Sequence, residues 1–128
     1  MKKEKPYNSG QWTAARYRSF IMSALRRAQY PVKYECIRAA YRRDGVNPKT
    51  GRKCKLHECA ECHELFPGKD MRADHIEPIV PITGFDSWDH LISRLFCELD
   101  GFQALCVDCH AVKTKAENKA RREYKSKQ

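Results

Sequence analysis

The chain contains no apolar run approaching the length of a membrane span. Its opening, Met1-Lys2-Lys3-Glu4-Lys5-Pro6, lacks the apolar stretch of a secretory signal, so a cytoplasmic location and no membrane partner are expected. Asparagine is missing between Asn47 and Asn118. No internal repeat shows beyond two Cys-x-x-Cys pairs. The cysteines number seven, an odd count that argues against a disulfide scaffold and for thiolate metal ligands in a reducing compartment. At 128 residues there is room for one small domain with a modest core, a size that often needs a metal staple.

Acidic residues are scarce at both ends and concentrated in the middle. Residues 1–58 hold 15 Lys/Arg against 4 Asp/Glu, residues 59–105 hold 3 against 9, and residues 106–128 hold 7 against 3. The net charge is +9. Basic flanks suit a polyanion such as DNA, and an acidic centre suits a divalent cation.

Periodicity predicts a helix from about Gln11 to Gln29, with Trp12, Ala15, Phe20, Met22 and Leu25 on one face, after a loose lead-in of ten residues. Tyr30-Pro31 should end it. A second helix is expected over Val32 to Arg43, stopped by Asp44-Gly45. Short strands are expected at Lys55–Glu58, Met71–Ile76 and Phe102–Leu105. Between the last two, Ser87 should cap a helix from Trp88 to Phe96. A final helix should run from Val107 to about Lys125. The expected division is a basic helical region, 1–54, followed by a finger, 55–128.

Cys59, Cys62, Cys106 and Cys109 form two knuckles whose four thiolates can close a tetrahedral structural Zn²⁺ site. Two redox dithiols are the weaker explanation. Cys36 and Cys97 read as core residues, while Cys54 and His57 are alternative ligands near the first knuckle. Between the pairs lies Asp74-His75, and His110 follows Cys109 directly. One carboxylate and two imidazoles beside a structural metal are the parts that metal-assisted phosphodiester hydrolysis needs.

Ala73-Asp74-His75-Ile76-Glu77-Pro78-Ile79 and Phe102-Gln103-Ala104-Leu105-Cys106-Val107-Asp108-Cys109-His110, with the Cys59/Cys62 knuckle, resemble the HNH endonuclease family. The likeness covers roughly residues 56–120 and is closest to zinc-stapled members of bacteriophage and restriction systems. It implies an α+β fold, a ββα-metal finger with a structural four-cysteine zinc site, here preceded by two N-terminal helices. It implies that His75 is the general base, and that Asp74 and His110 hold a catalytic divalent ion, Mg²⁺, Mn²⁺, Ni²⁺ or Zn²⁺. The implied substrate is double-stranded DNA, in a host cytoplasm if the chain is phage-encoded. The family's middle Asn falls on Gly101; Asp100 beside it is expected to accept the backbone hydrogen bonds that tie this loop. Adjacent strand residues face opposite sides, so for Asp74 and His75 to serve one site the strand must twist, bulge or end there.

Lys113, Lys115, Lys119, Arg121 and Arg122 on the final helix are expected to contact DNA phosphates. Glu77 should face outward, His63 should sit on the knuckle surface, and His75→Ala should leave the fold intact. Two other readings stay open: a zinc module that binds nucleic acid without cutting it, and a component active only with a phage packaging or restriction partner.

Overall fold

A computed structural model describes residues 2–128. They form two compact units, one ending at Tyr30 and one spanning Pro31–Gln128. In the first unit, Tyr7 and Trp12 pair through both backbone N–H groups across a tight turn. Asn8, Ser9 and Gly10 take left-handed conformations there, so the expected loose lead-in is an ordered turn. Helix α1, Ala14–Ala28, starts where the Thr13 hydroxyl accepts the Arg16 N–H. Its aromatic neighbours pair locally, Tyr7 on Tyr17 at 4.0 Å and Trp12 on Phe20 at 5.0 Å.

The second unit is α+β and opens within α2, Tyr30–Ala39, at Pro31. The helix ends four residues before the expected Arg43, because residues 41–46 form a strand. This strand, β1 (Tyr41–Val46), pairs antiparallel with β2 (Lys53–Glu58), and β2 pairs with β3 (Leu65–Pro67). Gly45 does not break a helix; it lies in β1 because a Cβ there would run into the Leu56 side chain. The division expected at residue 54 thus falls inside β2, which is bound to β1 along its length.

Strands β4 (Met71–His75) and β5 (Phe102–Cys106) form a separate antiparallel pair in regular register. Helix α3, Trp88–Leu95, lies in the connection, capped by Ser87, which accepts the His90 N–H at 3.1 Å. Helix α4, Val107–Ser126, leaves β5 without a linker and packs on both strands. The order β4–β5–α4 is a ββα unit with a helical insertion.

The core joins Cys36 and Ala40 of the α2 region to Met71, Phe102, Ala104 and Leu105 of the strand pair. Leu91 and Leu95 bury one face of α3, at about 1.5–3 kcal/mol for each fully buried side chain. Cys36 and Cys97 are core or core-lining, as their apolar contexts suggest. Among the described residues no helix is long and apolar enough to cross a membrane.

Candidate functional site

The site grows from the point where β5 turns into α4. Cys106, the last residue of β5, caps α4 by accepting the Cys109 N–H on its sulfur at 3.4 Å. The first knuckle follows β2, and the Ala60 N–H donates to the Ala104 carbonyl at 2.8 Å, fastening it against β5. His63 takes a left-handed conformation, φ 63°, that folds the chain back toward β3, and its ring faces Glu58 at 3.2 Å on the surface.

The sulfurs of Cys59, Cys62, Cys106 and Cys109 all lie within 4.8 Å of one another. Tetrahedral bonds near 2.3 Å set sulfurs about 3.8 Å apart, so a small contraction closes the site on zinc. The cluster could therefore hold a structural metal such as zinc. Its electrostatics agree with that use. Burial raises the Cys59 thiol, yet backbone N–H groups of Cys106, Cys62 and Glu61 aimed at its sulfur bring it down to about 6. The Cys106 sulfur, then burial, push Cys109 up to about 12. One ligand is thus ready as thiolate, while Cys62 and Cys109 hold their protons until a cation arrives. Cys54 and His57 are not in the cluster.

Immediately beyond the cluster on α4, β4 and α4 bring Asp74 and His110 together. Asp74 Oδ1 lies 3.7 Å from His110 Nε2, and the Asp74 side chain is 11% exposed. The other oxygen, Oδ2, accepts from the Gln103 amide at 3.0 Å and from the Lys113 ammonium at 2.9 Å. Gln103 sits directly opposite Asp74 in the strand pair. Lys113 Nζ also reaches Glu117 Oε2 at 3.0 Å and the His75 carbonyl at 3.1 Å. Burial works against its charge, but the two carboxylates outweigh burial and raise the Lys113 pKa. Lys113 was expected at a DNA phosphate; three protein oxygens hold it inside the site.

His75 lies differently. The ring is 8% exposed, packs on Phe102 with centroids 4.4 Å apart, and forms a 2.9 Å hydrogen bond from Nε2 to the Leu95 carbonyl. Its strand ends at His75 and has no bulge. The backbone directs Asp74 toward α4 and His75 toward the end of α3.

At the family's Asn position, an added Cβ on Gly101 would run into the sulfur and Cβ of Cys97. A side chain there would force Cys97 to move. The loop is tied by the backbone instead, with the Ile76 N–H donating to the Gly101 carbonyl at 3.0 Å. Asp100, expected to supply that tie, is exposed. Glu77 is exposed, as expected.

Other expected DNA contacts on α4 are also engaged within the protein. Arg121 donates to the Val80 carbonyl at 2.9 Å and to Asn118, and Lys119 lies 3.9 Å from Glu123. Lys115 and Arg122 are exposed on the helix. Gln103, Glu117 and the Leu95 carbonyl were missed as partners. Only the Lys113–Glu117 pair had a sequence signal, four residues apart on one helix face.

No family model matches the chain, and no curated protein or solved structure is similar enough to count as a match.

Proposed function

We propose that this chain is a metal-dependent nuclease that hydrolyses phosphodiester bonds of double-stranded DNA on an HNH-like, zinc-stapled ββα finger. The observation that carries the reading is the approach of Asp74 Oδ1 and His110 Nε2 to 3.7 Å, from separate elements, with His110 directly after a cysteine of the four-cysteine cluster. That spacing is too long for a hydrogen bond. It is close to the separation of about 3–3.4 Å between two oxygen or nitrogen ligands of one cation. A bound divalent ion would supply charge neutralisation at the phosphate and at the leaving oxygen.

Asp74 is held for this work by Gln103 and Lys113 on Oδ2, which leaves Oδ1 directed at His110. His110 is fixed by its place on the first turn of α4, immediately after Cys109. The general base in this reading is His75. A carbonyl oxygen only accepts, so the Leu95 contact requires the proton on Nε2. In this reading the other ring nitrogen is the atom that takes a proton from water. The ring sits at the last residue of β4 and packs toward the end of α3, on the other side of the strand from Asp74.

The test is nicking of supercoiled plasmid by zinc-loaded protein, with and without added Mg²⁺, Mn²⁺ or Ni²⁺. Asp74→Ala and His110→Ala are expected to lower the rate by about 10²-fold or more. Equal nicking by parent and variants would remove the assignment.

A second reading is a zinc-stapled module that binds DNA without cutting it. Two features favour it: the Lys113 ammonium already neutralises Asp74, and the His75 ring is buried. Unchanged plasmid under every metal, together with duplex binding, is its signature.

A further inference from the structure

We infer that the β1–β2 hairpin carries a phosphate-binding groove for the backbone of double-stranded DNA. The inference shares its ligand with the proposed function but does not depend on cleavage. A groove of about 410 Å³ runs between the hairpin and the turn at residues 67–69. Arg52, Lys53, Lys55 and Lys69 line it, and no Asp or Glu is among its lining residues.

These cations differ from those of α4. Lys113 and Arg121 are held by carboxylates or carbonyls of the protein, while Lys119 makes only a loose, exposed 3.9 Å contact with Glu123. Arg52, Lys53 and Lys69 are exposed and make no ion pair among the described residues. Lys55 lies over the face of Tyr41 at 5.8 Å, opposite Asp44 in the strand pair, and makes no ion pair among the described residues. Like charges lining one groove within a Debye length of about 8 Å repel one another, and an anion between them relieves that repulsion.

A second observation points to the same place. His57, only 7% exposed, also lines the groove, and its Nδ1 finds no hydrogen-bond partner among the described residues. The wall facing that edge is Gly68: a Cβ there would lie 3.2 Å from His57 Cε1 and 3.7 Å from Nδ1. Gly68 therefore packs closely on this edge of the ring, and a larger residue there would crowd it. A buried polar atom without a partner costs about 1–3 kcal/mol, so such atoms are few and call for a ligand.

The cradle is also stiff. Asn47 accepts the Lys49 N–H on Oδ1 at 2.9 Å and the Gly51 N–H on its carbonyl at 2.8 Å. Gly51 takes φ +72°, which closes the loop beside Arg52 and Lys53. A preformed loop keeps its charges in place at low entropic cost. Nucleic acid fits this groove better than an acidic peptide, because Cys54 and Pro67 are the only apolar side chains lining it, too few to anchor a peptide side chain.

The test is binding of a fluorescent 20-base-pair duplex by zinc-loaded protein with no other divalent metal, at several salt concentrations. Arg52→Ala/Lys53→Ala/Lys69→Ala is expected to weaken binding about tenfold or more and to reduce the slope of log affinity against log salt by about 2–3, near 0.9 for each phosphate no longer neutralised. Lys2→Ala/Lys3→Ala/Lys5→Ala removes the same charge elsewhere and is expected to leave the slope nearly unchanged. Circular dichroism checks that the hairpin variant is folded; because the replaced side chains are exposed, it is expected to be. Equal losses in the two triple variants would reduce the effect to net charge and overturn the inference. So would a parental slope in the hairpin variant. Anionic phospholipid vesicles that bind the parent as tightly as duplex, and lose binding in the hairpin variant, would assign the groove to membranes instead. A protein that binds duplex through the hairpin but never nicks plasmid removes the nuclease reading and leaves this one standing.

Discussion

Lys113 Nζ lies 2.9 Å from Asp74 Oδ2, so a protein cation already rests on the carboxylate proposed to bind metal. The same ammonium touches Glu117 and the His75 carbonyl, which makes it the hub between β4 and α4.

Lys113→Met therefore has two expected effects. Without added metal, removing this ion pair should destabilise the protein by about 1–2 kcal/mol, a figure reduced from the fully buried case because Lys113 is partly exposed. At the same time, Asp74 loses a competitor, so half-saturation by Mn²⁺ should move to lower concentration. Thermal melts and a metal titration read the two. The raised lysine pKa fixes the sign with pH: the ion-pair stability is complete below the ordinary lysine value of 10.5 and is lost as pH rises through the higher folded value. Parent and variant melts should thus converge in strong alkali. An unchanged metal titration would show that Lys113 does not compete at Asp74.

Zinc removal should unfold the finger, because each knuckle is fastened to the strand pair and metal binding at such sites is folding energy. Cys59→Ser or Cys106→Ser should lose one equivalent of zinc and the cooperative melt. With Cys109 pushed up to about 12, loading at neutral pH must expel its proton, so zinc uptake should release protons and weaken on acidification. Calorimetry in buffers of different ionisation enthalpy measures the release.

His75→Ala is expected to destabilise the protein, contrary to the expectation from sequence that the fold would be indifferent. The buried ring fills space against Phe102 and satisfies the Leu95 carbonyl. Its loss should cost about 1–3 kcal/mol, a drop of several degrees in Tm for a unit of this size. His75→Asn, which keeps a donor, should recover part of it. Activity of His75 variants is accordingly compared at a temperature where both proteins are folded.

Gly101→Asn restores the residue usual in the resembling family, yet it should weaken this protein. The new Cβ meets Cys97, and overpacking of this kind costs about 1–3 kcal/mol. Adding Cys97→Ala removes the obstructing sulfur and should return much of the lost stability, read by denaturant unfolding. Gly101→Asn as stable as the parent would show that the loop yields without cost.

Much of the site was legible because it depends on local chain order. The spacing of Cys59/Cys62 and Cys106/Cys109 announces two knuckles in any fold that brings them together. His110 follows Cys109, so its position beside the cluster was inherited from the helix start. Helix α3 with its Ser87 cap, and α4, were visible through periodicity and capping. Strand β1 was hidden: Tyr41, Arg42 and Arg43 continue a helical pattern, and Gly45 looks like a stop until Leu56 is opposite it.

The sequence by itself determined the ligand set and the uneven charge, because residue identity and short spacing fix which atoms are available for metal and phosphate. Tertiary structure alone decided which charges are available to a partner. The register of β4 against β5 placed Gln103 on Asp74, the packing of α4 placed Lys113 between two carboxylates, and the β1–β2 hairpin and the turn at residues 68–70 bring Arg52, Lys53 and Lys69 to one groove without an ion pair among the described residues. A cation's role depends on the oxygens within about 3 Å of it, and distance through space is not written in distance along the chain.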